Sequence, residues 1–118
     1  MNTPLSIFLP RDLLNHFDLV LVNELGEVSN RQEIYHIHLT EKNDLPKGYN
    51  RTDYESKGFY LEKIIQDFPI RGKAVYLVIK RRRWRNKDSS KEIKSDYSFI
   101  AAGSKLTQEL ADFLKGTN

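Results

Sequence analysis

The stretch that most constrains this chain is Ala74-Val75-Tyr76-Leu77-Val78-Ile79, followed at once by Lys80-Arg81-Arg82-Arg83-Trp84-Arg85. The first six residues have no polar face and suit a strand covered on both sides, near the middle of a sheet. The five cations that follow cannot be buried in the same way, because an unpaired charge loses its hydration. The segment 74–85 therefore predicts one strand that leaves the core as a basic arm, turns through 86–90 and returns over 93–102.

The remaining patterns supply neighbours for that strand. Residues 33–40 alternate, with Tyr35, Ile37 and Leu39 as the inward set of a strand. A stretch rich in Val, Leu and Phe, 17–25, ends at Gly26 and predicts another. A further strand, 59–68, is closed by Pro69 and joined to the basic strand by a turn at Arg71-Gly72-Lys73. Helical signals occur only near the two ends. Pro10 opens a short helix over 10–16, and Leu110, Ala111, Phe113 and Leu114 have helical spacing within 107–114, with Ser104 as the candidate N-cap. The polar span 41–57, with Pro46, Gly48 and Asn50, has too few apolar residues for an element and predicts a long mobile loop. A chain of 118 residues makes one domain around one core. The expected architecture is α+β, with about five mainly antiparallel strands, a short N-terminal helix and a C-terminal helix.

Net charge is only +3, but its placement is uneven. The span 71–94 holds ten basic and two acidic residues, a net +8, while the rest of the chain holds nine basic and fourteen acidic residues, a net −5. Such segregation draws a polyanion towards one end of a molecule. The candidate nucleic-acid contacts are Arg71, Lys73, Lys80, Arg81, Arg82, Arg83, Trp84, Arg85, Lys87, Lys91 and Lys94. Arginine offers a planar fork that suits phosphate, and its heads are expected in solvent. An aromatic among arginines can stack on a base. The plainer alternatives are a solvated strand edge that discourages aggregation and a Trp84 folded back onto the core.

Catalytic chemistry has little support. The chain has no cysteine, hence no disulfide and no thiolate metal site. His36 and His38, at i and i+2, point to one side of a strand, but without a third ligand they read as half-exposed strand histidines. There is no nucleophile motif and no Gly-rich phosphate loop. The scattered acids, Asp18, Asp67 and Asp96 among them, read as surface, cap and turn residues. No enzyme activity, cofactor or metal is expected. The N-terminal residues lack the basic and apolar regions of a signal peptide, and no run approaches the roughly 18 apolar residues of a membrane span. A cytoplasmic protein with no membrane partner is the expectation.

Landmarks run through the second half of the chain: Glu55-Ser56-Lys57-Gly58-Phe59, then Ile65-Gln66-Asp67-Phe68-Pro69-Ile70-Arg71-Gly72-Lys73, Val75-Tyr76-Leu77 and Arg81-Arg82-Arg83-Trp84. They end with Gly103-Ser104-Lys105-Leu106-Thr107 and Phe113-Leu114. In these the chain resembles the N-terminal region of ISAon-type bacterial insertion-sequence transposases, which is similar to the corresponding region of the wider ISL-type group. The resemblance implies recognition of the element's terminal DNA repeats, with strand cleavage and joining done by a separate DDE catalytic domain or subunit. In the wider group the arginine-aromatic run leads into paired zinc-binding cysteines. Here no cysteine follows, so any ribbon must hold by hairpin pairing and packing alone. Two other readings stand beside this one. The chain could be a protein-interaction or assembly module, whose oppositely charged halves pair between copies of a homodimer or dock onto the catalytic subunit. It could also be a small RNA-binding protein that uses arginines and tyrosines on single strands.

Overall fold

The computed structural model describes residues 8–10, 12–26, 33–95, 97 and 105–116. Along these the elements run α1 (Leu13–His16), β1 (Phe17–Gly26), β2 (Glu33–Glu41), β3 (Tyr54–Phe59), β4 (Lys63–Ile70), β5 (Lys73–Lys80), β6 (Arg82–Asn86), β7 (Glu92–Ile93) and α2 (Gln108–Leu114). This is a mixed α+β fold in which strands dominate. They form two sheets, one in the order β1-β2-β5-β4 and a smaller one in the order β3-β6-β7. Every pairing is antiparallel except β2 with β5.

β5 takes the central place that its composition demands. Ala74, Val75, Leu77, Val78 and Ile79 are all buried, on both faces of the strand, with β2 on one side and β4 on the other. A parallel β2–β5 pair needs a long crossover between the strands. Residues 42–72 provide it and carry β3 and β4 on the way. Beneath one face lies the core, where Ile37 and Leu39 of β2, Ile65 of β4 and Val75, Leu77 and Ile79 of β5 meet Leu9, Leu13 and Phe17. Burying each such side chain contributes about 1.5–3 kcal/mol. Tyr35 packs against this cluster half-buried, so the inward set expected for β2 is the set observed. The β4–β5 hairpin closes through Arg71 and Gly72 at φ 50° and 76°, with Ile70 opposite Lys73. Two positive φ values in a two-residue link match the twist of a hairpin, and glycine bears the second at no steric cost.

Several boundaries differ from expectation. The span 41–57 is not all loop. Glu41 belongs to β2 with its side chain buried, and β3 begins at Tyr54. β3 has almost no apolar alternation, and its order comes from pairing with β6. The connecting residues are held by local bonds: Asn50 Oδ1 accepts from Thr52 N–H at 3.1 Å, and Arg51 donates to the Asn43 carbonyl at 2.6 Å. The strand expected over 59–68 is two, ending at Phe59 and restarting at Lys63. Pro69 does not close β4, which continues to Ile70 through a register shift between Asp67 and Ile70. Such a bulge tolerates a residue without an N–H. The strand expected over 74–85 is also two, broken at Arg81. The return strand is described only as Glu92–Ile93, and the rest of 93–102 lies mostly outside the described residues.

Ser104 also lies outside them, and the cap expected there is Thr107 instead. Its hydroxyl accepts from Leu110 N–H at 3.3 Å and donates to Asp67 Oδ1 at 2.9 Å. That bond ties α2 to β4, next to a short parallel bridge between Gln66 and Leu106. Burial raises the Asp67 carboxyl above its ordinary pKa, against the lowering effect of bonds from the Phe68 N–H and Thr107.

Candidate nucleic-acid interface

The basic run begins where the chain passes from one sheet to the other, and a buried acid controls that passage. Glu41, 1% exposed, accepts the Arg82 backbone N–H on Oε1 at 2.8 Å. Its carbonyl accepts from Arg82 Nε at 3.0 Å. The Tyr97 hydroxyl donates to the other carboxylate oxygen. Burial, and then this bond to Glu41, push the Tyr97 phenol well above the usual tyrosine range. Arg82 also donates from Nη1 to Ser56 Oγ at 3.0 Å and lies over the Phe59 ring, 4.8 Å from its centroid, with Lys80 on the same ring at 5.4 Å. Arg81 donates to the Ser95 carbonyl. Two of the arginines are thus structural pins, and the expectation that the arginine heads lie in solvent is corrected for Arg81 and Arg82.

Trp84 is also internal. It is 1% exposed, and its indole N–H donates to Asn43 Oδ1 at 3.2 Å. On a strand, alternate residues share a face, so Trp84 points the way Arg82 does, inward, and is not a platform for a nucleic-acid base. It is the largest side chain of the small sheet's interior, and it fastens that sheet to the 42–53 connection.

The opposite face of the small sheet carries Arg83 and Arg85 of β6, flanked by acids. Arg85 lies directly across from Glu55 of β3 and from Glu92 of β7. Arg83 forms an ion pair with Glu92, Arg85 reaches Glu55 at 3.8 Å, and Lys57 reaches the same Glu55 at 3.4 Å. The hydrogen bond from Arg83, aided by the charges of Arg83 and Arg85, holds the Glu92 carboxyl below its usual pKa, and Glu92 raises that of Arg83. Tyr60 lies under Arg83 and Lys94, at 5.8 and 5.5 Å. The local excess of positive charge is therefore smaller than the count along the sequence, since Glu41 and Glu55 come in from other strands.

On the β6–β7 hairpin the most exposed cations are lysines. Lys87, Lys91 and Lys94, on the β6–β7 turn and just after it, are exposed and make no ion pair among the described residues. Their backbone is held firmly. Asn86 Oδ1 accepts from the N–H groups of Asp88 and Ser89 at 2.9 Å each, and Lys87 N–H donates to the Asp53 carbonyl at 2.8 Å. Arg71 and Lys73 are not part of this surface. They sit at the other end of β5, roughly 23 Å from Lys80 at about 3.3 Å per residue, and Lys73 is bonded to Glu24 and Tyr35 at 3.3 and 3.1 Å. The expected single basic end is split in two.

His36 and His38 do share one side of β2, with ring centroids 6.3 Å apart. No group of three or more His, Cys, Asp or Glu that could hold a metal occurs among the described residues, and no described helix is long and apolar enough to cross a membrane. The residues that sequence reasoning passed over are Glu41, Asn43, Ser56 and Tyr97 behind the ribbon and Glu55, Tyr60 and Glu92 on its face. Strand alternation alone separates Arg82 and Trp84 from Arg83 and Arg85, and it was the available signal. Comparison with protein-family models, curated proteins and solved structures returns no match.

Proposed function

We propose that this chain is the DNA-engaging N-terminal module of an insertion-sequence transposase, working in the cytoplasm beside a separate DDE catalytic domain or subunit and having no catalytic centre of its own. The observation that carries the reading is the set of exposed lysines, Lys87, Lys91 and Lys94, which make no ion pair among the described residues, on and just after the turn of a hairpin that Arg81 and Arg82 anchor to the core. Arg83 and Arg85 lie on the outer face of the same sheet and add two more cations. The sequence landmarks over 55–114 supply the transposase context.

A salt series tests this directly. Labelled terminal-repeat duplex and a scrambled duplex of equal length are titrated with the purified protein between about 50 and 300 mM salt. If the five cations each neutralise one phosphate, log K falls with log salt at a slope of about −4.5. Phosphate contacts fix register without reading bases, so the two duplexes are expected to bind within a few-fold of each other, with end selectivity supplied by the catalytic partner. No binding at the lowest salt, or a flat salt dependence, would overturn the proposal.

A further inference from the structure

We infer that Glu55 and Glu92 are internal competitors of DNA phosphate: they occupy the guanidinium groups of Arg85 and Arg83 in the free protein and give them up when a duplex docks. This rests on the DNA-binding reading above and assigns that site its control elements. Arg85 stands on the central strand of the small sheet, directly opposite one acid on each side, and cross-strand partners in a sheet share a face. Arg83, two residues earlier on the same strand, is on that face too and engages Glu92. A carboxylate and a phosphate offer the guanidinium the same thing, negative oxygens at hydrogen-bond distance. The two acids therefore hold the place that phosphate oxygens would take.

The pairs are built to exchange. The side chains of Arg83, Glu92, Arg85 and Glu55 are 33–41% exposed, and ion pairs so open to water add little to stability. The Arg85–Glu55 contact, at 3.8 Å, is loose, and Glu55 is shared with Lys57. The hydrogen bonds of Arg82 and Trp84 are of the other kind, part-buried and holding the sheet together. A duplex can therefore take over the outer arginines without disturbing the ribbon's backbone. The exposed lysines engage first, because among the described residues no acid forms an ion pair with them. The acids then decide how closely a polyanion must fit before the arginines are released to it, which weakens the binding of poorly placed anions.

The test compares wild type with Glu92→Gln, Glu55→Gln, the double variant, and Glu109→Gln, an exposed acid of α2 outside the ribbon. Each is titrated with the same duplex at low and high salt, with folding checked by circular dichroism. Removing one competing charge is expected to tighten binding about three- to tenfold at low salt, with a smaller gain at high salt. Glu92→Gln should have the larger effect and Glu55→Gln the smaller, while Glu109→Gln should stay within about twofold of wild type. Should Glu92→Gln fail to fold, the Glu55→Gln result carries the test alone. If wild type binds and the ribbon variants bind no better, the inference fails and the DNA-binding reading survives. An equal gain from Glu109→Gln also overturns it, since net charge alone would then explain the effect. If neither wild type nor any variant binds, both fall. If only the variants bind, the competition is confirmed in its strongest form.

Discussion

The two sheets of this molecule are held by different forces. In the four-stranded sheet, apolar side chains of β2, β4 and β5 close over one another, and the strand with the most apolar residues is the most buried. In the three-stranded sheet only Trp84 is a buried large apolar side chain. What fixes that sheet is polar: Glu41 on the Arg82 N–H, Arg82 on Ser56, and Trp84 Nε1 on Asn43. Apolar contact is tolerant of small shifts and is not directional, whereas a hydrogen bond fails once its geometry is lost. A chain rich in arginine can therefore build a rigid element, provided the arginines face acceptors and not only water.

The largest expected effect comes from removing the one aromatic anchor of the polar sheet. Trp84→Ala is expected to lower stability by about 3–5 kcal/mol, the usual cost of truncating a buried tryptophan, as read from denaturant unfolding. A loss below about 1 kcal/mol would mean that hydrogen bonds alone hold the sheet. Next comes Arg82→Ala, which strips the bonds to the Glu41 carbonyl and Ser56 and removes the cation beside a buried carboxylate. It is expected to cost about 1–3 kcal/mol. The fluorescence of Trp84, the chain's single tryptophan, should shift towards that of exposed indole at lower denaturant. Arg82→Lys should recover little, because an ammonium lacks the fork that reaches both acceptors.

A smaller effect sits on the other sheet. Burial raises the folded pKa of Asp67 above its unfolded value, so the folded state keeps the proton to higher pH. The stability this contributes is fully present below the ordinary aspartate pKa and is lost as pH rises through the raised value. Asp67→Asn keeps an acceptor for Thr107 but cannot ionise. Its stability relative to wild type should therefore increase from acid towards neutral pH and then level off. A relative stability that is greatest in acid would contradict the assigned sign.

What was legible in the sequence follows the same divide. β5 could be read because Val75 to Ile79 is an unbroken apolar run, β2 because Tyr35, Ile37 and Leu39 alternate, and α2 because its apolar residues recur at helical spacing. The Arg71-Gly72 turn could be read from its glycine. β3 could not, since Tyr54–Phe59 has no apolar alternation and is a strand only because β6 lies beside it. Nor could the parallel β2–β5 pairing, which depends on partners more than thirty residues apart. At the site, composition picked out the right run but treated its cations alike. Counting charges does not reveal that Glu41 waits for Arg82, or that Glu55 flanks Arg85 from another strand.

The proposed division of labour is that Arg81 and Arg82 hold the ribbon in place while Lys87, Lys91 and Lys94, with Arg83 and Arg85 on the outer face, meet DNA. It is tested most directly by measuring salt dependence and stability together for Lys87→Ala, Lys91→Ala and Lys94→Ala combined. Three lost phosphate contacts should make the slope of log K against log salt shallower by about 2.7. Each exposed substitution should change unfolding free energy by no more than about 0.5 kcal/mol. An unchanged slope with a marked loss of stability would contradict the account, because the lysines would then be the structural cations and the phosphate contacts would lie elsewhere.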